Sequence, residues 1–171
     1  KRAFEQWIDD MIERLKQFPD FHVYHYAPYE PAAMKRLMGR YGTREEELDW
    51  LLRGGRFVDL YGAVRQSVRA SVEKYSIKDL EEFYDFERET DLHVANDARH
   101  TLQIELELDD VDAITREMHD TVESYNRDDC VSTLNLRNWL ELLRQEAIEG
   151  GAQISRPELK QGDPSENLSE Q

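Results

Sequence analysis

The chain has 171 residues, and its 37 acidic and 22 basic side chains give a formal net charge of −15. That charge argues against a large surface that binds phosphates regardless of sequence, although a site for divalent cations is itself acidic. The single cysteine excludes an internal disulfide and is typical of a protein of the reducing cytoplasm. No apolar run approaches the 18 residues that a transmembrane helix needs, so no membrane span is expected.

The N-terminal segment predicts a helix followed by a strand. Apolar residues recur at helical spacing from about residue 3 to 17, and Pro19 ends the pattern. Residues 21–25 alternate and are aromatic or β-branched, which favours a short strand on whose sheet the helix packs. The residues expected on the buried helix face are Trp7, Ile8, Met11 and Leu15.

The stretch His25-Tyr-Ala-Pro-Tyr-Glu30 follows this strand and leads into a helix predicted from Pro31 to about Arg40. Glu30 therefore lies at a strand-to-helix junction, the edge at which ligand sites of α/β sheets occur. Glu30 either contributes to such a site or only caps the helix. His25 and Tyr29 likewise either line the site or are aromatics of the core and its rim.

Residues 43–61 predict a further helix and a second acidic candidate. Thr43-Arg-Glu-Glu46 matches a capping box that opens a helix, and Gly54-Gly55 ends it. The apolar run Phe57-Val-Asp-Leu-Tyr61 is either a strand or the start of the next helix. Asp59, inside that run, is either a site residue or a hydrogen-bonded structural aspartate.

The second half of the chain is expected to be rich in helix. Ser76 is a predicted N-cap, residues 81–91 are expected to form a loop, and a helix is predicted over about 91–106. The polar composition toward the C-terminus indicates a flexible tail or linker. We therefore predict one domain over residues 1–147 and a tail over 148–171.

The segment Tyr125-Asn-Arg-Asp-Asp-Cys130 leads into a helix predicted from Asp129 to about Arg144. Tyr125 and Asp129 are four residues apart and share a face with leucines along the helix, whereas Asp128 lies about 100° away and is expected to point elsewhere. A carboxylate on a packed face needs a metal ion or a paired donor. The alternative is that Asp128 or Asp129 simply caps the helix.

Taken together, these stretches resemble the RNase H-like 3′–5′ exonucleases of the DEDDy group, and within them the YprB-like or RecB-like nuclease domain of bacterial nuclease–helicase proteins. The resemblance runs from about residue 4 to 145. The stretches that carry it are residues 25–30, 57–61, 75–80 and 125–130. The last is the most specific, because the third motif of that superfamily is a Tyr followed four residues later by a metal-binding Asp.

The resemblance implies a two-metal site that holds Mg²⁺ or Mn²⁺ through carboxylate oxygens. Asp129 and Glu30 would bind metal, with Asp59 as the fallback for Glu30, and Tyr125 would position the attacking water. If Glu30 and Asp129 share this site, their carboxylates should lie within about 8 Å of each other. Glu30 is a departure, because related domains have Asp at this position.

Three further residues are assigned to substrate binding by the resemblance, namely His25, Tyr29 and Lys78. His25 is another departure, because related domains have Asn at the start of this motif.

The family places an Asp-x-Glu motif on its first strand, and this motif has no counterpart before Phe4. Because Lys1 is interpreted as a cut end, we expect that strand upstream in a longer parent, and the fragment alone is expected to be inactive or nearly so. The implied fold is α/β: an N-terminally truncated RNase H-like mixed sheet flanked by helices, with a helix-rich second half.

The function that the resemblance implies is metal-dependent 3′–5′ exonuclease activity on nucleic acid, with single-stranded DNA as the expected substrate. The expected setting is the cytoplasm, in DNA repair, with a helicase domain downstream in the same polypeptide. A second hypothesis is a non-catalytic RNase H-like domain that mediates nucleic-acid or protein contacts. A third is a plain helical interaction module whose motifs are only helix caps.

Overall fold

The computed structural model describes residues 1–158, which form two compact units. The first unit comprises Lys1–Arg69 with the described residues from Leu142 onward, and the second comprises Ala70–Glu141. The single domain over residues 1–147 stays a prediction. Of the predicted tail, residues 152–158 have no regular secondary structure, and residues 159–171 lie outside the described part of the chain.

The first unit alternates helices with two short strands. Its elements are α1 (Arg2–Gln17), β1 (Val23–His25), α2 (Tyr29–Tyr41), α3 (Glu45–Arg53), β2 (Phe57–Asp59) and α4 (Leu60–Ser67). The two strands are parallel, with His25 opposite Asp59. This architecture agrees with the α/β class, and the run 57–61 forms both a strand and the start of a helix. In residues 1–158 the sheet has two parallel strands, so the mixed sheet stays a prediction.

The core of the first unit is an apolar cluster contributed by α1 and α3. Its buried members are Phe4, Ile8, Leu15, Leu48 and Leu51. Of these, Ile8, Leu48 and Leu51 are fully buried. The helical spacing in α1 produces this packing, because residues that recur every three or four positions share one face.

The predicted packing of α1 on the sheet is confirmed through Trp7. The ring of Trp7 lies 6.2 Å, centroid to centroid, from that of Phe57 in β2. Trp7 and Met11 are only partly buried against the core cluster, whereas Ile8 and Leu15 are buried as predicted.

The capping box predicted at Thr43–Glu46 is wrong. The N-cap position of α3 is taken by Arg44 in the left-handed region, with φ of 58°. The Thr43 hydroxyl donates instead to Glu5 Oε1 at 2.9 Å, and the Arg44 side chain forms a two-pronged ion pair with Asp9 in α1. A tertiary contact with α1 therefore engages the Thr43 hydroxyl, which a capping box would have used. The helix stop at Gly54-Gly55 is confirmed, and Gly55 adopts φ of 66°.

The second unit is helical in its described residues. Its elements are α5 (Ile77–Leu80), a 3₁₀ turn (Glu81–Tyr84), α6 (Leu92–Glu107), a second 3₁₀ turn (Val111–Ala113) and the part of α7 (Arg116–Glu149) up to Glu141. The N-cap at Ser76 is confirmed, because its hydroxyl oxygen accepts from the backbone N–H of Asp79 at 3.2 Å. The loop expected over 81–91 begins with a 3₁₀ turn instead.

Within residues 1–158, none of the helices combines the length and the apolar character that crossing a bilayer would require.

Replacing Ile8 by alanine should lower the free energy of unfolding by about 2–5 kcal/mol, because it leaves a cavity in the core cluster. Phe18→Ala is the matched control, since Phe18 is 60% exposed, and should change that free energy by less than about 0.5 kcal/mol. Urea unfolding followed by circular dichroism measures both. Equal stability of the two variants would contradict the described core.

Candidate functional site

The segment 125–130 lies in the middle of a long helix, not at its start. α7 begins at Arg116, and the Thr115 hydroxyl oxygen accepts from the backbone N–H of Met118 at 3.2 Å. The prediction that this helix starts near Asp129 is therefore wrong, and so is the alternative that Asp128 or Asp129 caps it. The sequence signal that marked the true start is Thr115, a favoured capping residue before a helical repeat.

Asp128, not Asp129, lies on the buried face of α7. Asp128 is 4% exposed, and Ser132 and Leu136 on the same face are fully buried. The Asp129 side chain is 40% exposed. The expectation that Asp128 points away from the packed face is thus wrong. A backbone N–H, that of Thr90, donates to Asp128 Oδ2 at 3.0 Å and compensates the buried carboxylate.

Arg88 joins Asp129 to a second carboxylate. Its Nη1 donates to Asp129 Oδ1 at 2.8 Å, while Nη2 and Nε donate to the two oxygens of Glu81 at 2.6 and 3.0 Å. The Arg88 side chain is 8% exposed. Although burial lowers the pKa of Arg88, the hydrogen bonds to Glu81 and Asp129 raise it overall above its usual value, so the guanidinium stays charged.

A hydroxyl chain continues from Glu81 into α7. Ser132 Oγ donates to Glu81 Oε1 at 2.7 Å, and the Tyr84 hydroxyl lies 3.0 Å from Ser132 Oγ and 3.3 Å from the carbonyl oxygen of Ile77. Because the Ser132 proton goes to Glu81, the single hydroxyl proton of Tyr84 is shared between Ser132 Oγ and the carbonyl oxygen of Ile77. Burial raises the pKa of Tyr84 to about 12. This series of hydrogen bonds holds the Glu81 side chain in place, and Glu81 in turn holds Arg88.

Lys78 and Tyr125 meet in the second unit. Lys78 Nζ donates to the Tyr125 hydroxyl at 3.1 Å and lies 5.2 Å from the centre of its ring. The Arg88 guanidinium carbon lies 5.7 Å from the same ring centre. Tyr125 therefore lies beside two cations, one turn of helix before Asp129. Two residues assigned to the site by sequence, 47 positions apart, are thus in direct contact.

In the first unit, Asp59 ties together the carboxyl ends of the two strands. Its Oδ1 accepts from the backbone N–H of Tyr61 at 3.0 Å, which caps α4, and from that of Ala27 at 2.9 Å. Ala27 has φ of 64°, which few residues other than glycine adopt. These contacts support the alternative that Asp59 is a hydrogen-bonded structural aspartate. Its Oδ2 takes no part in the two bonds.

The other three candidates of the first unit differ sharply in exposure. His25 is 6% exposed, and its Nδ1–H donates to the carbonyl oxygen of Ala27 at 2.7 Å. The Glu30 side chain is 53% exposed, with Oε2 3.9 Å from His25 Nδ1. Tyr29 is 76% exposed at the start of α2. Glu30 and Tyr29 are accessible to a ligand, while His25 stabilises the turn that follows β1.

The donor chemistry of these carboxylates fits a hard divalent cation. Asp129 and Glu30 are reachable from solvent, and Asp129 and Asp59 each keep one oxygen outside the contacts described above. Mg²⁺ and Mn²⁺ prefer such carboxylate oxygens. The sharing of one site by Glu30 and Asp129 stays a prediction.

A further group of potential metal ligands lies on the surface of α7. Ligand atoms of His119, Asp120 and Glu123 all lie within 4.8 Å of one another, and all three residues are exposed. Exposed carboxylates commonly gather in this way without a metal, so the group has no assigned role.

Arg88 is the residue that the sequence analysis missed. The only local signal was a lone cation between acidic neighbours, Glu87 and Glu89, in a stretch expected to be a loop. Its partners lie 7 and 41 residues away along the chain. That pairing depends on the tertiary fold.

The family model of the RNase H superfamily matches residues 1–141, a range that contains all the candidate site residues. No curated protein and no solved structure matches the chain. The family match supports a nuclease-like or nucleic-acid-related role, and it does not distinguish between branches of the superfamily.

Asp128→Ala should lower the free energy of unfolding by about 1–3 kcal/mol, because the N–H of Thr90 loses its acceptor. Asp128→Asn should cost less, since the amide oxygen can still accept. The exposed Asp97 provides the control, and Asp97→Ala should be near neutral. Urea unfolding of the three variants tests the buried position of Asp128. If Asp128→Ala is as stable as Asp97→Ala, the described face of α7 is incorrect.

Proposed function

This chain belongs to the RNase H superfamily, and on that premise we propose that it is a metal-dependent 3′–5′ exonuclease domain of a larger RecB-like nuclease–helicase protein. Its substrate is nucleic acid, with single-stranded DNA ends as the first candidate. The reaction is hydrolysis of a phosphodiester bond.

One observation carries this proposal: the 3.1 Å contact between Lys78 Nζ and the Tyr125 hydroxyl. The contact brings a cation suited to phosphate next to a phenol suited to orienting water. Asp129 follows Tyr125 by one helical turn and offers a solvent-reachable carboxylate. A cation that can hold phosphate, a phenol that can orient water and a carboxylate that can bind a divalent cation are thus present in the second unit.

Each residue has a separate role in the proposal. Tyr125 holds the attacking water through its hydroxyl, and Lys78 holds a phosphate oxygen of the substrate. Asp129 and Glu30, with Asp59 as the fallback for Glu30, are the carboxylates for Mg²⁺ or Mn²⁺, which would activate the water and stabilise the leaving oxygen. Exposed Tyr29 offers a ring on which a base can stack, as aromatic residues do in single-strand binding.

A second candidate function is a non-catalytic domain that binds nucleic acid. It is favoured by the ion pair of Asp129 with Arg88, which already compensates the carboxylate. In this role Lys78 and Tyr29 would contact the substrate, and Asp129 would have a structural part.

In the larger protein that the proposal assumes, Asp129→Asn should abolish cleavage of end-labelled single-stranded DNA in Mn²⁺ or Mg²⁺, because the amide keeps the shape but loses the charge that holds a cation. Tyr125→Phe should slow cleavage less, by about 10²–10⁴-fold, since one water-positioning hydroxyl is lost. Addition of EDTA should stop the reaction. Gel analysis of the labelled strand gives the rates.

Asp97→Asn is the matched control for these variants, because it makes the same change at an exposed position on α6. It should cut at the wild-type rate. If the larger protein binds the labelled strand but never cuts it with either metal, the non-catalytic candidate is favoured. Cleavage that survives Asp129→Asn would refute the assignment of Asp129.

Lys78→Met should weaken binding of single-stranded DNA several-fold and flatten the dependence of log K on log salt concentration by about 0.7, the value for one phosphate contact on a single strand. Lys74→Met is the matched control, since Lys74 is an exposed lysine four residues earlier, and it should change the slope less. Fluorescence anisotropy at several salt concentrations measures both. Identical slopes for the two variants would remove Lys78 from the binding site.

A further inference from the structure

Arg88 provides Asp129 with a positive partner inside the second unit. The guanidinium uses one nitrogen for Asp129 and two for Glu81, so all three of its nitrogens are engaged. We propose that Arg88 is the resident counter-cation of Asp129, and that a divalent cation that binds Asp129 displaces this guanidinium. The proposal rests on the proposed function, which assigns Asp129 to metal binding.

The two carboxylates hold Arg88 unequally. Glu81 receives two bonds, has a side chain that is 10% exposed and is itself fixed by Ser132. Asp129 receives one bond and has a side chain that is 40% exposed. If the hydrogen bond from Arg88 to Asp129 breaks, Arg88 keeps a two-pronged, charge-assisted pair with Glu81 and does not become an unpaired buried charge. The hydrogen bond between Arg88 and Asp129 is therefore the one that can break.

Charge gives the direction of the effect. Within the group formed by Glu81, Arg88 and Asp129, the guanidinium lies directly against Asp129, with Nη1 2.8 Å from Oδ1. A divalent cation at Asp129 is repelled by a guanidinium that lies against the same carboxylate. Arg88 therefore lowers the affinity of Asp129 for metal and keeps that carboxylate paired when no metal is bound.

The test is a calorimetric titration of Mn²⁺ into the protein with no nucleic acid present. The main variant carries Glu81→Gln and Arg88→Met together, so that no buried carboxylate is left without a partner, and Ser132 can still donate to the amide oxygen. We expect this variant to bind Mn²⁺ at least about fivefold more tightly than the wild type. Adding Asp129→Asn to it should remove the gain.

Arg99→Met combined with Asp97→Asn is the control, because it removes one positive and one negative charge, as the main variant does, at exposed positions of α6. It should leave the Mn²⁺ affinity near that of the wild type. Equal affinities of the double variant and the wild type would overturn the exchange. So would a gain that persists with Asp129→Asn, and so would a lack of measurable Mn²⁺ binding in both proteins.

A second variant covers the case in which circular dichroism shows the double variant to be unfolded. Arg88→Lys keeps the charge, but a single ammonium cannot reproduce the planar fork that holds both carboxylates. We expect a smaller gain in Mn²⁺ affinity, again removed by Asp129→Asn. An affinity equal to that of the wild type would overturn the inference.

This measurement separates the exchange from catalysis. Mn²⁺ binding with the expected ranking, together with a larger protein that never cuts nucleic acid, would refute the proposed function and leave the exchange intact. Cleavage of nucleic acid together with an Mn²⁺ affinity that does not depend on Arg88 would overturn the exchange and leave the proposed function intact.

Discussion

Arg88 places a full positive charge at a position that is 8% exposed, so the second unit has to provide acceptors for it. Glu81 provides two, and burying that carboxylate in turn requires the hydroxyl of Ser132. Ser132 lies on α7, so the need to compensate these charges selects which face of α7 packs inward. Asp128 lies one turn before Ser132 on that face, and Asp129 is left at its edge, where its carboxylate is open to solvent.

The sequence predicted the parts of the fold that local patterns determine. The periodicity of α1, the glycine stop after α3 and the cap at Ser76 each depend on residues a few positions apart, and all were correct. The capping box at Thr43 failed because its hydroxyl bonds to Glu5, a residue that lies 38 positions earlier. A local pattern cannot register competition from a distant element.

The candidate site shows the same division. The one-turn spacing of Tyr125 and Asp129 followed from helix geometry alone, and the contact of Tyr125 with Lys78 agrees with both assignments. The buried face of α7 was wrongly predicted because leucines along the helix were taken to mark it, whereas the hydrogen bond from Thr90 and the Glu81–Arg88 pair decide it. Arg88 was missed because its importance arises only from partners that folding brings together.

The parallel pair β1 and β2 also affects the solution behaviour of the chain. Each strand has three residues, and within residues 1–158 each is paired on one side. Strands of this length are too short a template for another copy to add a lasting strand. The net charge of −15 adds long-range repulsion between copies. Because salt screens that repulsion within about 10 Å at 0.1 M, strand length becomes the main protection against self-association as ionic strength rises.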